Sequence, residues 1–241
     1  MVWPLMITTL LILFAAALIK ATLGFGEALL AMPLLTVLLG APTATPLVGL
    51  IGASLTLLIL LSQGWQRIEF QIAWRLIVTA AVGIPLGVWG LVTLPAAWVK
   101  AGLGGVLIFV GLYNLLRPAV EAQIGARWAY LFGLMSGLLT GAYNTGGPPI
   151  VLYGALRRWP AAQFRITLQS CFLPLSFVAL TTHSLAGLWT PQVIQLYVVS
   201  LPAVLLALWL GQHFTHRLAG PQFERLIYGG LVVLGAMLIV R

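Results

Sequence analysis

KATLGFGEALLAMPLL (Lys20–Leu35) is an apolar run that breaks at Gly24-Phe25-Gly26 and restarts at once in a short segment containing proline. About 120 residues later SGLLTGAYNTGGPPIVLYGAL (Ser136–Leu156) does the same, with the break at Asn144-Thr145-Gly146-Gly147 and prolines at 148 and 149. Glycines this dense interrupt a helix, and hydrocarbon cannot satisfy the backbone groups they free. Such backbone is tolerated at membrane depth only when it is buried in protein or lines a wet cavity. Paired interruptions in two hydrophobic halves therefore point to the binding site of a small-solute transporter.

The rest of the chain sets the membrane context. Of 241 residues 61% are hydrophobic and 7% charged, with no Asp at all, and the mean hydropathy is +1.07. Soluble proteins carry about 25% charged residues, so this chain lacks the polar surface to face water. Apolar stretches of spanning length recur along almost all of it. The fold class expected is an all-α polytopic membrane protein in the lipid bilayer, with no separate soluble domain. The net charge of +8 belongs to short loops, where basic residues orient spans; no basic face or aromatic-basic interleaving suggests nucleic acid. The single Cys171 excludes an intramolecular disulfide and reads as a small packing residue. Ala15-Ala16-Ala17 resembles a cleavage site, but without a basic stretch ahead of it the N-terminal run reads as a retained first helix.

Lengths and breakers divide the chain into ten segments: 4–23, 27–41, 44–62, 72–93 and 101–116, then 128–143, 147–157, 166–185, 191–211 and 224–240. This gives a first transmembrane repeat (1–116), a cytoplasmic linker (117–127) and a second repeat (128–241). Phe14 aligns with Phe132, Gly26 with Gly147, Trp89 with Trp209, and Gly104-Gly105 with Gly229-Gly230. If the chain alternates sides after each segment, one side receives Arg67, Arg75, Arg117, Arg127, Arg157, Arg158, Arg165, Arg217 and Arg225. The other receives Lys100 and Arg241. This bias makes the first side cytoplasmic and places both termini outside, periplasmic in a bacterial inner membrane. Five segments per half is an odd number, so the second repeat is expected to be inverted relative to the first. The second segment of each half is short: fifteen and eleven residues rise only about 22 and 16 Å, against a hydrocarbon core of about 30 Å. Each is expected to form a glycine-broken hairpin with the helix before it, re-entrant or fully spanning. Trp3, Trp65, Trp74, Trp98, Trp128, Trp159 and Trp189 lie near segment ends, as an interfacial belt requires. Trp89 and Trp209 fall inside spans, where packing is the expected role.

The chemistry follows from the breaks. A helix restarting at a break turns unpaired N–H groups and a partial positive charge toward it. Two such N-termini aimed inward would make an anion site, with Asn144 and Thr145 adding side-chain hydrogen bonds. The expected substrate-binding residues are Lys20, Gly24, Phe25, Gly26, Asn144, Thr145, Gly146 and Gly147. The competing reading of the glycines is close helix packing. Lys20 and Glu27 are the charges deepest inside an apolar stretch, and such residues are functional hypotheses by default. Lys20 would attract an anion; Glu27 would neutralise it or carry a coupled proton. A structural ion pair, or a lysine reaching for the interface, are the alternatives. Arg165, after Arg157-Arg158-Trp159-Pro160, is a candidate guard of a cytoplasmic vestibule or else an orientation signal. His183, His213 and His216 have no ligand-forming neighbours at metal spacing, so neither a metal nor another cofactor is expected. Ser54, Gln169 and Ser170 either line the pathway or bond between helices. Nothing specifies oligomeric state, although glycine-rich faces are compatible with a homodimer.

At these two motifs the sequence resembles the sulfite exporter TauE/SafE family of membrane permeases. KATLGFGEALLAMP and GAYNTGGPPIVLYGALRRWPAAQFRITL are similar to that family's two signature regions, and the resemblance spans essentially the whole chain. Members with a third glycine after the first break differ from this chain, which has Glu27 there. The resemblance implies transport of small sulfur-containing anions, such as sulfite, sulfonates or sulfoacetate, across the bacterial inner membrane, with proton coupling by analogy. A passive anion channel shares the same motifs and differs in kinetics. An intramembrane enzyme would require a nucleophile and base, or a metal cluster, and no such grouping is present in the sequence; the chain is not expected to be an enzyme.

Overall fold

The protein is described from a computed structural model that covers residues 3–63, 70–116, 124–159, 161–218 and 221–240. Within them the chain forms ten helices and no strand: α1 (Trp3–Leu23), α2 (Glu27–Leu39), α3 (Ala41–Gln63), α4 (Phe70–Thr93), α5 (Ala96–Leu116), α6 (Trp128–Tyr143), α7 (Gly147–Leu156), α8 (Ala161–Leu185), α9 (Pro191–Leu218) and α10 (Pro221–Val240). Each of the ten expected segments has its helix. The largest differences are early starts of α5 and α8 and a longer α9. Trp98, Lys100 and Gln163 resemble loop residues by polarity, yet they continue a helix because helical backbone satisfies its own hydrogen bonds as the chain leaves the hydrocarbon.

Among the described residues, α1, α3, α4, α5 and α9 are long and apolar enough to cross a membrane. α2 and α7, at 13 and 10 residues, rise only about 20 and 15 Å. Large apolar side chains cover the outer surface, among them Leu11, Val82, Phe109, Leu116, Phe177 and Leu206. So continuous an apolar exterior is incompatible with water, and the protein is a multi-pass membrane protein. Trp89 and Trp209, expected to pack inside, are instead 64% and 54% exposed on that exterior. Both follow a mid-helix proline, Pro85 in α4 and Pro202 in α9, and their indoles face outward.

Three helix pairs dominate the packing: α4 with α6, α5 with α10, and α1 with α9. The first is a glycine seam. Gly133, Gly137 and Gly141 of α6 lie against Leu76, Ala80 and Ile84 of α4, while Gly83 and Gly87 of α4 receive α6 in return. The numbers rise together, so these helices run parallel. A β-carbon at Gly83 would sit 2.6 Å from the Leu134 oxygen and 2.9 Å from the Leu138 nitrogen; backbones this close admit no side chain. α5 and α10 run antiparallel, with Gly104 against Gly235 and Gly111 against Tyr228 and Val232. Of the two hydrophobic cores, one draws mainly on α1, α2, α3, α5, α9 and α10, the other mainly on α4, α6, α7 and α8. The fourth helix of each half thus packs into the core of the other half.

Candidate functional site

Both glycine breaks open onto one cavity of about 60 Å³. One water needs roughly 10–15 Å³ of such space, so the cavity suits a small solute. Its walls come from α1, α2, α3, α6, α7 and α8.

The first break is built on two left-handed glycines, Gly24 (φ 85°) and Gly26 (φ 99°), a conformation that other residues adopt only under strain. α2 restarts at Glu27 with Gly26 as its N-cap and no side-chain cap, so its first amides have no intrahelical acceptor; Glu27, Ala28 and Leu29 all line the cavity. At the second break Asn144 closes α6 in the left-handed region (φ 53°), where Asn is among the few side chains accepted. Thr45 Oγ1 donates to the Ala142 carbonyl at 3.0 Å, and His183 Nε2 donates to that of Gly141 at 3.0 Å. Ser136 Oγ donates to the Gly146 carbonyl at 2.6 Å. Side chains from α3, α6 and α8 thus satisfy carbonyls that the interruption would leave orphaned.

The charges meet here. Lys20 is 2% exposed and forms an ion pair with Glu27; its Nζ also donates to the Gly52 carbonyl at 3.0 Å. Gly52 is required by proximity, since a β-carbon there would stand 3.0 Å from Glu27 Oε1 and 3.8 Å from Lys20 Nζ. Among the described residues Lys20 and Glu27 are the only ionisable ones in the cavity lining. Thr145 is 98% buried, its exposure being 2%, and its hydroxyl has no hydrogen-bond partner among the described residues.

Of the residues singled out from sequence, Lys20, Phe25, Gly26, Glu27, Asn144, Thr145, Gly146 and Gly147 line the cavity. Gly24 does not; its carbonyl accepts from Gln169 Nε2 at 2.9 Å. Arg165 lies on α8, and its side chain is outside the described residues, as are residues 117–123 of the linker. Ser54 bonds the Tyr197 hydroxyl at 2.8 Å. Glu27 compensates the charge of Lys20, one of the roles expected for it, so among the described residues the lining is neutral when both are ionised. The two helix N-termini are also unequal: Pro148 and Pro149 follow Gly147 at the start of α7 and bring no N–H, which leaves α2 as the richer source of amides. Sequence reasoning named Ser54 on α3 and Gln169 and Ser170 on α8, but missed residues of those helices that do line the cavity, Gly49, Gly52, Thr56, Phe172 and Ser176. The three-residue spacing of Gly49 and Gly52 was the available signal, and packing glycines share it. Among the described residues no group of three His, Cys, Asp or Glu side chains could hold a metal.

The sequence profile of the family described as sulfite exporter TauE/SafE matches residues 9–238. A curated protein of Cupriavidus necator, named probable sulfite/organosulfonate exporter TauE, is 27% identical over 240 residues, covering 95% of this chain and 91% of its own length. No solved structure matches the chain significantly.

Proposed function

The chain belongs to the sulfite exporter TauE/SafE family, and on that premise we propose that it is a secondary transporter of small sulfur-containing anions, sulfite or an organosulfonate, in the bacterial inner membrane. The relative's name carries the sulfur class. The observation that carries the mechanism is the meeting of two breaks, about 120 residues apart in sequence, in one small cavity beside a buried lysine. Lys20, the amides after Gly26, and Asn144 and Thr145 hold the anion. Phe25, Gly146 and Gly147 shape its surroundings, Glu27 is the coupling acid, and Arg165 guards the cytoplasmic approach.

The repeats 1–116 and 128–241, joined by the cytoplasmic linker 117–127, are read as inverted. Exchanging each helix for the one five places on turns the α1–α9 contact into α6–α4 and leaves α5–α10 and α3–α8 unchanged, and all of these pairs pack. Parallel α4 and α6 with antiparallel α5 and α10 also accord with alternation of sides, which puts both termini on one face. On the basic side, Arg75 and Arg127 share one groove, and Arg157 Nη1 donates to the Ile124 carbonyl at 3.1 Å. In an inverted pair α1 and α6 run in opposite directions, so their broken ends meet only between the two membrane faces, at mid-depth. Alternating access then moves the α1–α2–α9 group against α6–α7–α4, rather than one chain half against the other.

The test is uptake of labelled sulfite and a short alkanesulfonate into proteoliposomes of purified protein, with and without an inward proton gradient. Saturable, gradient-driven accumulation is the expected result. Flux that only equilibrates would replace the transporter by a channel, and absence of flux for every sulfur anion would remove the assignment.

A further inference from the structure

We infer that Glu27 stands in the place on Lys20 that the substrate's anionic group takes, so that binding of a monoanion and protonation of Glu27 are a single linked event. The inference rests on the transport reading and names the substrate's charge. Lys20 is almost fully buried and has two partners, the Glu27 carboxylate and the Gly52 carbonyl. Among the described residues no other ionisable group lines the cavity, so within them charge balance rests on this pair and on whatever enters. A monoanion beside the intact pair leaves one net negative charge buried. A protonated Glu27 with no anion leaves Lys20 unpaired. Both states are strongly disfavoured where water is scarce. Together the two changes restore neutrality: a proton from solvent neutralises the Glu27 carboxylate, its ion pair with Lys20 breaks, and the anion forms a new one. Neutral Glu27 then gains an O–H donor. Asn144 and the hydroxyl of Thr145, which has no partner among the described residues, supply further donors for a head group with several oxygens. A dianion would keep one uncompensated charge, so the site selects a sulfonate or hydrogensulfite over a dianion such as sulfate.

The described groups around Glu27 leave this balance to the pair. α1 contributes Lys20 and α3 no titratable residue. Among the described residues α5 and α10 carry Lys100, Tyr113 and Tyr228, none of which lines the cavity. α6 contributes Tyr143, whose hydroxyl lies against Gly102 of α5. On α8, His183 lies behind Gly49, its Nδ1 being 3.6 Å from where a β-carbon at Gly49 would stand, while its Nε2 is committed to Gly141.

The experiment is calorimetric titration of the purified wild-type protein with methanesulfonate and with sulfate, between about pH 5 and 8, above the ordinary carboxylate range. Each titration is run in two buffers of different ionisation enthalpy, which counts protons. The expected result is uptake of one proton per methanesulfonate and affinity weakening about tenfold per pH unit where Glu27 is ionised in the free protein. Sulfate should bind more weakly. Glu27→Gln should bind methanesulfonate without proton uptake and without that slope, and His183→Asn should keep both. Binding to wild type with no proton uptake would overturn the displacement of Glu27 while leaving transport standing. Loss of the uptake in His183→Asn with its retention in Glu27→Gln would move the proton to His183 and overturn the assignment. Methanesulfonate that neither binds nor enters proteoliposomes at any pH would overturn both readings.

Discussion

Gln169, on a helix of the second half, donates from Nε2 to the carbonyl of Gly24 in the first break, 2.9 Å away and 145 residues earlier in the chain. The bond ties the place where α1 ends to the middle of α8. Gln169→Leu would keep the volume and leave the Gly24 carbonyl without its donor. A buried acceptor stripped of its partner costs about 1–3 kcal/mol. We expect a lower midpoint of thermal unfolding in detergent and reduced anion flux per folded molecule. Unchanged values of both would show that the break is held without this bond.

Gly52 and Gly105 form a contrast on two helices. A β-carbon at Gly52 would touch the Glu27 carboxylate, whereas nothing lies within 4 Å of one at Gly105. Gly52→Ala should weaken substrate binding about fivefold or more, taking about 1 kcal/mol of crowding at the ion pair. Gly105→Ala should leave transport unchanged and slightly raise stability, because alanine is the better helix former by about 1 kcal/mol. Equal effects in transport assays would argue against a site at Gly52.

Gly137 carries the α4–α6 seam, where a β-carbon would fall 2.8 Å from the Ala80 carbonyl carbon, within backbone. Gly137→Val must push the helices apart, at about 1–3 kcal/mol or more. Loss of folded protein in size-exclusion chromatography is expected. A variant as stable as wild type would mean that the helices are not in such close contact.

Cys171, the only cysteine of the chain, is fully buried. N-ethylmaleimide should leave the folded protein unlabelled and react after denaturation. That silence permits a topology test: a cysteine added ahead of residue 1 should react with a membrane-impermeant maleimide in intact spheroplasts. Reaction only after lysis would place the N-terminus in the cytoplasm and reverse the orientation drawn from the arginines.

Helix number and approximate limits were legible because apolar length and glycine or proline breakers are local properties, written residue by residue. The start of α5 at Ala96 was not, since Trp98 and Lys100 look like loop residues until the helix is seen to continue through the interface. The outward indoles of Trp89 and Trp209 were misjudged for a related reason. In a chain apolar on every face, periodicity does not distinguish a side chain facing lipid from one facing protein.

The amino-acid sequence by itself determined the membrane class, the ten helices and the two places where they break, because hydropathy, charge and glycine content act within a few residues. Only the tertiary structure decided that the two breaks share a cavity, that Gly52 brings its carbonyl to Lys20, that Gln169 holds the Gly24 carbonyl, and that each half lends its fourth helix to the other's core. These are contacts between segments far apart in the chain, selected by close backbone approach and by the need of each buried polar group for a partner. No local pattern encodes them.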